Sequence, residues 1–195
     1  MERDSGTRDD TAEADRALMA RVQAGEAAAL GALMARWERP VKAVIARLVL
    51  NAREAEELAQ ETFVRVWQQR EKYRADAEVR PWVFAIAVNL ARNRLRWWRR
   101  RPEVALEEWE GASADKAPAT AGGGAADLEQ QERVAAVRAA VAALPLELRE
   151  ALVLFEYEGM AQAEIAAAIG ATPKAVEARV ARAKEKLRAA LRRWV

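Results

Sequence analysis

Gln162-Ala163-Glu164-Ile165-Ala166-Ala167-Ala168-Ile169-Gly170-Ala171-Thr172-Pro173-Lys174-Ala175-Val176 has the grammar of a helix, a tight turn and the start of a second helix. Ile165 and Ile169 stand one turn apart on one face. Gly170 suits the left-handed position that closes a helix, Thr172 an N-cap, and Pro173 the first helical turn. In the helix that follows, Val176, Val180, Ala183 and Leu187 fall in one narrow stripe at 100° per residue and should face a core. Lys174, Ala178, Ala181, Arg182 and Glu185 point the other way. Small residues and an arginine near a helix start suit entry into a DNA major groove, because bulky side chains would hold the backbone off the base edges. A solvated basic face on an ordinary helical hairpin would show the same periodicity, and charge spacing alone does not separate the two.

Outward from this stretch the pattern stays helical. From Leu128 to Val195 it is broken only at Leu144-Pro145, Gly159 and Gly170, which predicts about four short helices over 128–195. Upstream, residues 102–127 change character, with Pro102, Pro118 and Gly122-Gly123-Gly124 set among Ala, Ser and acidic residues, the composition of a flexible linker. Residues 15–101 hold apolar-periodic segments at 15–24, 26–49, 52–72 and 81–100, with Pro40 expected to kink or split the second. Residues 1–14 are acidic and polar and read as a disordered leader. The expected class is all-α, two small helical domains joined by a linker, which suits a chain of 195 residues.

Composition narrows the chemistry. Hydrophobic residues make up 52% of the chain, but Ala supplies much of that and Gly and Pro are few, so helix propensity is high almost throughout. The formal net charge is only +2, yet the charges are sorted. Arg92, Arg94, Arg96, Arg99, Arg100 and Arg101 follow one another without a carboxylate, and a second basic run occupies residues 172–195 against only Glu177 and Glu185. Two basic blocks point to two contacts with a polyanion. Cys and His are absent, which removes thiol nucleophiles, disulfides, most zinc sites and all imidazole acid–base chemistry. No catalytic constellation, cofactor site or metal site is expected, and no enzyme activity. The polar N-terminus lacks the features of a signal peptide and no run of about 18 apolar residues occurs, so a cytoplasmic location without membrane insertion is expected.

Two helices of the first block carry the remaining signals. Over 52–69, Ala55, Leu58, Ala59, Thr62, Phe63 and Val66 share a core face, while Glu57, Gln60, Glu61, Val64 and Gln68 share the opposite one. An apolar Val64 among carboxylates and amides fits a protein interface, although single exposed apolar residues are common. In the helix opened by Pro81, Val83, Ile86, Leu90 and Trp97 lie on one side, and Ala85, Asn89, Arg92, Arg96 and Arg99 form a stripe on the other with Trp82 at its edge. Cations beside an aromatic, preceded by the polar loop 73–80, suit a single-stranded nucleic acid whose bases are unstacked.

Four stretches taken in order resemble the extracytoplasmic-function (group 4) sigma factors of the sigma-70 family, over about Asp15 to Arg193. They are Ala55-Glu56-Glu57-Leu58-Ala59-Gln60-Glu61-Thr62-Phe63; Trp82-Val83-Phe84-Ala85-Ile86-Ala87-Val88-Asn89; Leu144-Pro145 through Gly159-Met160-Ala161-Gln162-Ala163-Glu164-Ile165-Ala166; and Val176 to Leu187. The resemblance implies a sigma region 2 over 15–101, a tether at 102–127 and a sigma region 4 over 128–195. It further implies that Glu57, Gln60, Glu61 and Val64 dock on the β′ clamp helices of core RNA polymerase, with the β flap as region 4's partner on the core. Tyr73, Trp82 and Asn89 would lie where flipped bases of a promoter minus-10 element are captured, and Arg92, Arg96 and Arg99 along its backbone. Thr172, Lys174, Glu177, Ala178, Arg179, Ala181 and Arg182 would lie at or near a minus-35 duplex, and an anti-sigma factor would hold the protein inactive. Glu177 and Ala178 depart from one common version of the family pattern, in which Arg or Lys and then Ser stand there. A carboxylate at a base edge accepts from cytosine, so an unusual minus-35 sequence is expected. A free-standing regulator with a ligand-sensing first block, and a helical adaptor whose arginines serve only solubility, are the competing readings. The first predicts duplex binding without polymerase, the second no salt-dependent nucleic-acid affinity.

Overall fold

A computed structural model describes residues 5–101 and 125–194, with side chains from 11 to 101 and 129 to 194. Most of the expected linker, 102–124, lies outside the described residues, as do residues 1–4. Within them the chain forms α1 (Ser5–Gln23), α2 (Ala27–Val49), α3 (Ala52–Gln68), a 3₁₀ turn (Arg70–Lys72), α4 (Val79–Arg100), α5 (Ala125–Ala142), α6 (Leu146–Glu156), α7 (Gln162–Ile169) and α8 (Pro173–Ala190). No strand occurs among the described residues.

Helix ends follow local chemistry. The Asn51 side chain accepts from the Glu54 N–H at 3.1 Å and opens α3. Immediately before it, Leu50 takes the left-handed conformation (φ 61°) that closes α2, an uncommon one for a branched side chain. Gly170 closes α7 at φ 69°, and the Ala171 N–H returns to Ala166 O at 3.0 Å. Thr172 then accepts from Ala175 N–H at 3.2 Å, with Pro173 in the first turn of α8.

Two expectations change. α1 starts at Ser5, well inside the segment expected to be disordered, although Gly6, Thr7, Asp9 and Asp10 are poor helix formers; further along it, Thr11 O accepts from Arg36 of α2. Pro40 does not split α2, which runs unbroken from Ala27 to Val49. A proline costs the helix one hydrogen bond, and burial of Trp37, Val41, Val44, Ile45 and Leu48 on either side of it holds the helix continuous.

α1 to α4 pack around Met19, Leu33, Ile45, Phe63 and Phe84, all buried. Asp15 is buried with them, its two oxygens accepting from Arg36 at 2.5 Å and Trp37 Nε1 at 2.9 Å. α6, α7 and α8 pack around Leu154, Met160, Ile165 and Val176, and the apolar core is continuous between the two bundles where α4 lies against α7. A smaller cluster, Val141, Leu144, Leu152 and Ala183, joins α5 to α6 and α8.

Candidate nucleic-acid interface

α4 has a deeply apolar inner side: Val83, Phe84, Ile86, Ala87, Leu90 and Ala91 are buried. At its C-terminal end Trp98 is buried and Trp97 half-buried, with Arg94 and Arg101 stacked 5.9 and 5.3 Å from the Trp97 ring centre. Asn89, Arg96 and Arg99 are exposed on the outer side, and Arg96 donates to Asn93 Oδ1 at 2.7 Å.

Not every arginine of the expected stripe is free. Arg92 is half-buried and donates from Nε and Nη2 to the two oxygens of Glu150 on α6, at 2.7 and 2.6 Å. Arg94 pairs with the buried Glu54 of α3 at 2.6 Å. The Glu150 partner holds the Arg92 guanidinium more strongly protonated than usual, outweighing its burial.

The loop before α4 is tied to α1, because Gln23 Nε2 donates to Arg70 O at 3.0 Å and Tyr73 O at 2.9 Å. Tyr73 is buried rather than presented to solvent. Its hydroxyl donates to Ala77 O at 2.5 Å, its ring tilts at 60° against Trp82 with centres 5.2 Å apart, and burial pushes its phenol up from 10.0. Trp82 is half-buried, so the structure brings Trp82, Asn89, Arg96 and Arg99 to one outer surface and sets Tyr73 behind Trp82 as its support.

On α3, Glu57, Gln60 and Val64 are exposed and Glu61 half-exposed. Val64, at 47%, is one of few large apolar side chains so open among the described residues. Glu57 and Glu61 are each paired along the helix, with Arg53 at 3.4 Å and Arg65 at 2.8 Å. A cleft of about 600 Å³ lined by Glu57, Glu61, Asn93 and Trp97 connects this face to α4.

On α8 the inner stripe is as expected, with Val176, Val180 and Ala183 buried. Thr172, Lys174, Glu177, Ala178, Ala181 and Arg182 are all exposed, and Arg179 is half-buried, 3.4 Å from Glu147.

The residues that sequence reasoning missed lie between the bundles. Arg80 donates to Glu158 O and comes within 3.9 Å of Glu164. Arg149 donates to Leu48 O at 2.9 Å, Ala142 O at 2.6 Å and Leu144 O at 3.0 Å, and its burial makes it easier to deprotonate than usual. Arg47 stacks 4.1 Å from the Tyr157 ring centre. One signal was present in the sequence: Glu150 stands immediately before Ala151-Leu152-Val153-Leu154, and a carboxylate in so apolar a run calls for a cationic partner.

Residues 33–101 match the family model for sigma-70 region 2, and residues 135–187 that for sigma-70 region 4. The chain is 32% identical over 191 residues to the RNA polymerase sigma-H factor of Pseudomonas aeruginosa, covering 93% of this chain and 95% of that one. It is 29% identical over 177 residues to the ECF RNA polymerase sigma-E factor of Escherichia coli, covering 88% and 91%. Among solved structures, CnrH in complex with the cytosolic domain of CnrY superposes with a TM-score of 0.67 at 30% identity, covering 93% of this chain and 99% of that one. RpoE of Bartonella quintana, solved with the anti-sigma factor NepR, shares the fold with a TM-score of 0.62 at 21% identity, covering 83% and 96%.

Proposed function

Because the chain belongs to the sigma-70 family, as an extracytoplasmic-function RNA polymerase sigma factor, we propose that its three exposed faces divide the work of promoter recognition among core docking, strand capture and duplex reading. The family is one of DNA-binding transcription initiation factors. Glu57, Gln60, Glu61 and Val64 of α3 dock on the β′ clamp helices of core polymerase, while the α6–α8 unit meets the β flap. Trp82 and Asn89 receive flipped bases of the minus-10 element with Tyr73 supporting Trp82 from behind, and Arg96 and Arg99, joined by Arg92, track its backbone. Thr172, Lys174, Glu177, Ala178, Arg179, Ala181 and Arg182 meet the minus-35 duplex.

One observation carries this reading: an exposed row of Asn89, Arg96 and Arg99 beside a half-buried Trp82, on a helix whose other side is core. Unstacking a base costs a few kcal/mol. Stacking on an aromatic returns about 1–3 kcal/mol per base, and phosphate neutralisation adds to it. Opening then follows from binding, with no covalent step. An anti-sigma factor as inhibitory partner is supported by the complexes in which CnrH and RpoE were solved. A cytoplasmic site of action follows from that role, and among the described residues no helix is long and apolar enough to cross a membrane.

The test is reconstitution with bacterial core RNA polymerase on a promoter library. Core-dependent initiation is expected, lost at the opening step in Asn89→Ala and at core binding in Glu61→Lys. Specific duplex binding by the protein alone, without a core complex, would replace this reading with that of a free-standing regulator.

A further inference from the structure

Two carboxylates of α6 face the arginines of α4 and α8. Glu150 is fully buried, yet both its oxygens are taken by Arg92, whose Nη1 and Nη2 also reach Ile169 O of α7 at 3.3 and 3.2 Å. One turn earlier on the same face, Glu147 lies 3.4 Å from Arg179. These four groups line a cleft of about 370 Å³ whose wall is completed by Arg96 and Arg99. A carboxylate held by two parallel N–H donors of one guanidinium presents the same acceptor geometry as a phosphate.

The position is costly for a purely structural contact. Burying a full charge carries a desolvation penalty, and an apolar pair of similar volume often serves stability as well or better. The rest of the seam is mixed: α4 lies against α7 through apolar side chains, and around that contact stand Arg80 on Glu158 O, Arg149 on Leu48 O and Arg47 on Tyr157. These polar contacts are exchangeable for water when the two bundles part, whereas the apolar contact is not.

We propose that α6 is an internal mimic of the DNA backbone: in the closed chain Glu150, seconded by Glu147, occupies the positions where Arg92 and Arg179 take phosphates. Promoter DNA and α6 therefore compete for the same cations. The proposal rests on the reading of α4 and α8 as DNA surfaces and adds to it that the free protein is closed by its own carboxylates. Core polymerase, by holding the two bundles apart, would release both arginines at once.

The chain has no cysteine, so Ala35→Cys and Ala189→Cys, both at exposed positions on opposite bundles, accept a dye pair in the full-length protein. Single-molecule energy transfer then reads the closed fraction, and titration with an oligo-dT strand reads nucleic-acid affinity. If the closed form holds about nine-tenths of the population, its loss raises apparent affinity about tenfold. Glu150→Gln is expected to lower the closed fraction and give that gain. Glu147→Gln, on an exposed side chain that does not threaten folding, is expected to give a gain of about twofold in the same direction. Unchanged energy transfer and unchanged or weaker oligo-dT binding in both variants would overturn the proposal. The energy-transfer shift reads the latch without DNA, and core-dependent initiation by the wild type reads the parent function without the latch, so the two failures are distinguishable.

Discussion

α4 and α8 are both arginine-rich helices with one face in a core, and they place their cations differently. On α4, Arg92 and Arg94 are engaged by the buried carboxylates Glu150 and Glu54, from helices far away in sequence, while Arg96, Arg99 and Arg100 stay exposed. On α8, Lys174 and Arg182 stand open with Ala178 and Ala181 between them, while Arg179 is drawn to the exposed Glu147 and Lys184, further along the helix, to Glu156. The same composition thus serves two ends. α4 is part architecture and part binding surface, so its substitutions mix stability with affinity, whereas the outer face of α8 is separable from the fold.

The largest effect expected from this difference lies at Arg94. Removing it takes away a cation 2.6 Å from the buried Glu54, and loss of one partner of a buried pair costs about 3 kcal/mol; Arg94→Ala should lower the thermal unfolding midpoint markedly, as circular dichroism would show. The α8 counterpart should behave in the opposite way. Arg182→Ala should weaken minus-35 duplex binding in the holoenzyme by about 1–3 kcal/mol while shifting stability by no more than about 0.5 kcal/mol. Equal stability losses in the two variants would break the comparison.

Much of α8 was legible before any coordinates. Thr172, Pro173 and Gly170 act within a few residues of themselves, so the turn and both helix ends followed from local chemistry, as did the buried Val176, Val180 and Ala183. The faces of α3 were legible for the same reason, since a 3.6-residue period fixes which side is core. The partners of α4 were not. Arg92 meets Glu150 across 58 positions, a pairing that no helical spacing encodes, and the absence of carboxylates at i+3 or i+4 made those arginines look freer than they are. Tyr73 failed to show its burial because its hydroxyl is satisfied by a turn carbonyl, Ala77 O, rather than by a side chain visible in a motif. Continuity of α2 through Pro40 likewise depends on tertiary burial that outweighs a local penalty.

Two smaller effects sharpen the contrast between local and long-range control. Thr172→Ala removes an N-cap and should cost about 1 kcal/mol, confined to the start of α8 and visible as faster amide exchange there. Glu158, at the seam between the bundles, carries a carboxyl that burial pushes above its ordinary 4.5 against the pull of Arg80 and Arg47. The native state therefore holds that proton more tightly than the unfolded chain, and stability falls as pH rises through the window between the two values. Glu158→Gln should raise the unfolding midpoint slightly near neutral pH and leave it unchanged in acid below the ordinary carboxylate range. A destabilising effect at neutral pH would show that the seam relies on the ionised form.

The division of labour between the two helices is tested most directly by permanganate footprinting of promoter complexes formed with core polymerase, comparing wild type, Asn89→Ala and Arg182→Ala. The account predicts core-dependent reactivity of unpaired thymines in the wild type. Asn89→Ala should yield complexes that bind but stay closed, and Arg182→Ala fewer complexes that open normally once formed. Closed complexes with Arg182→Ala together with normal opening by Asn89→Ala, or thymine reactivity that does not require core polymerase, would contradict it.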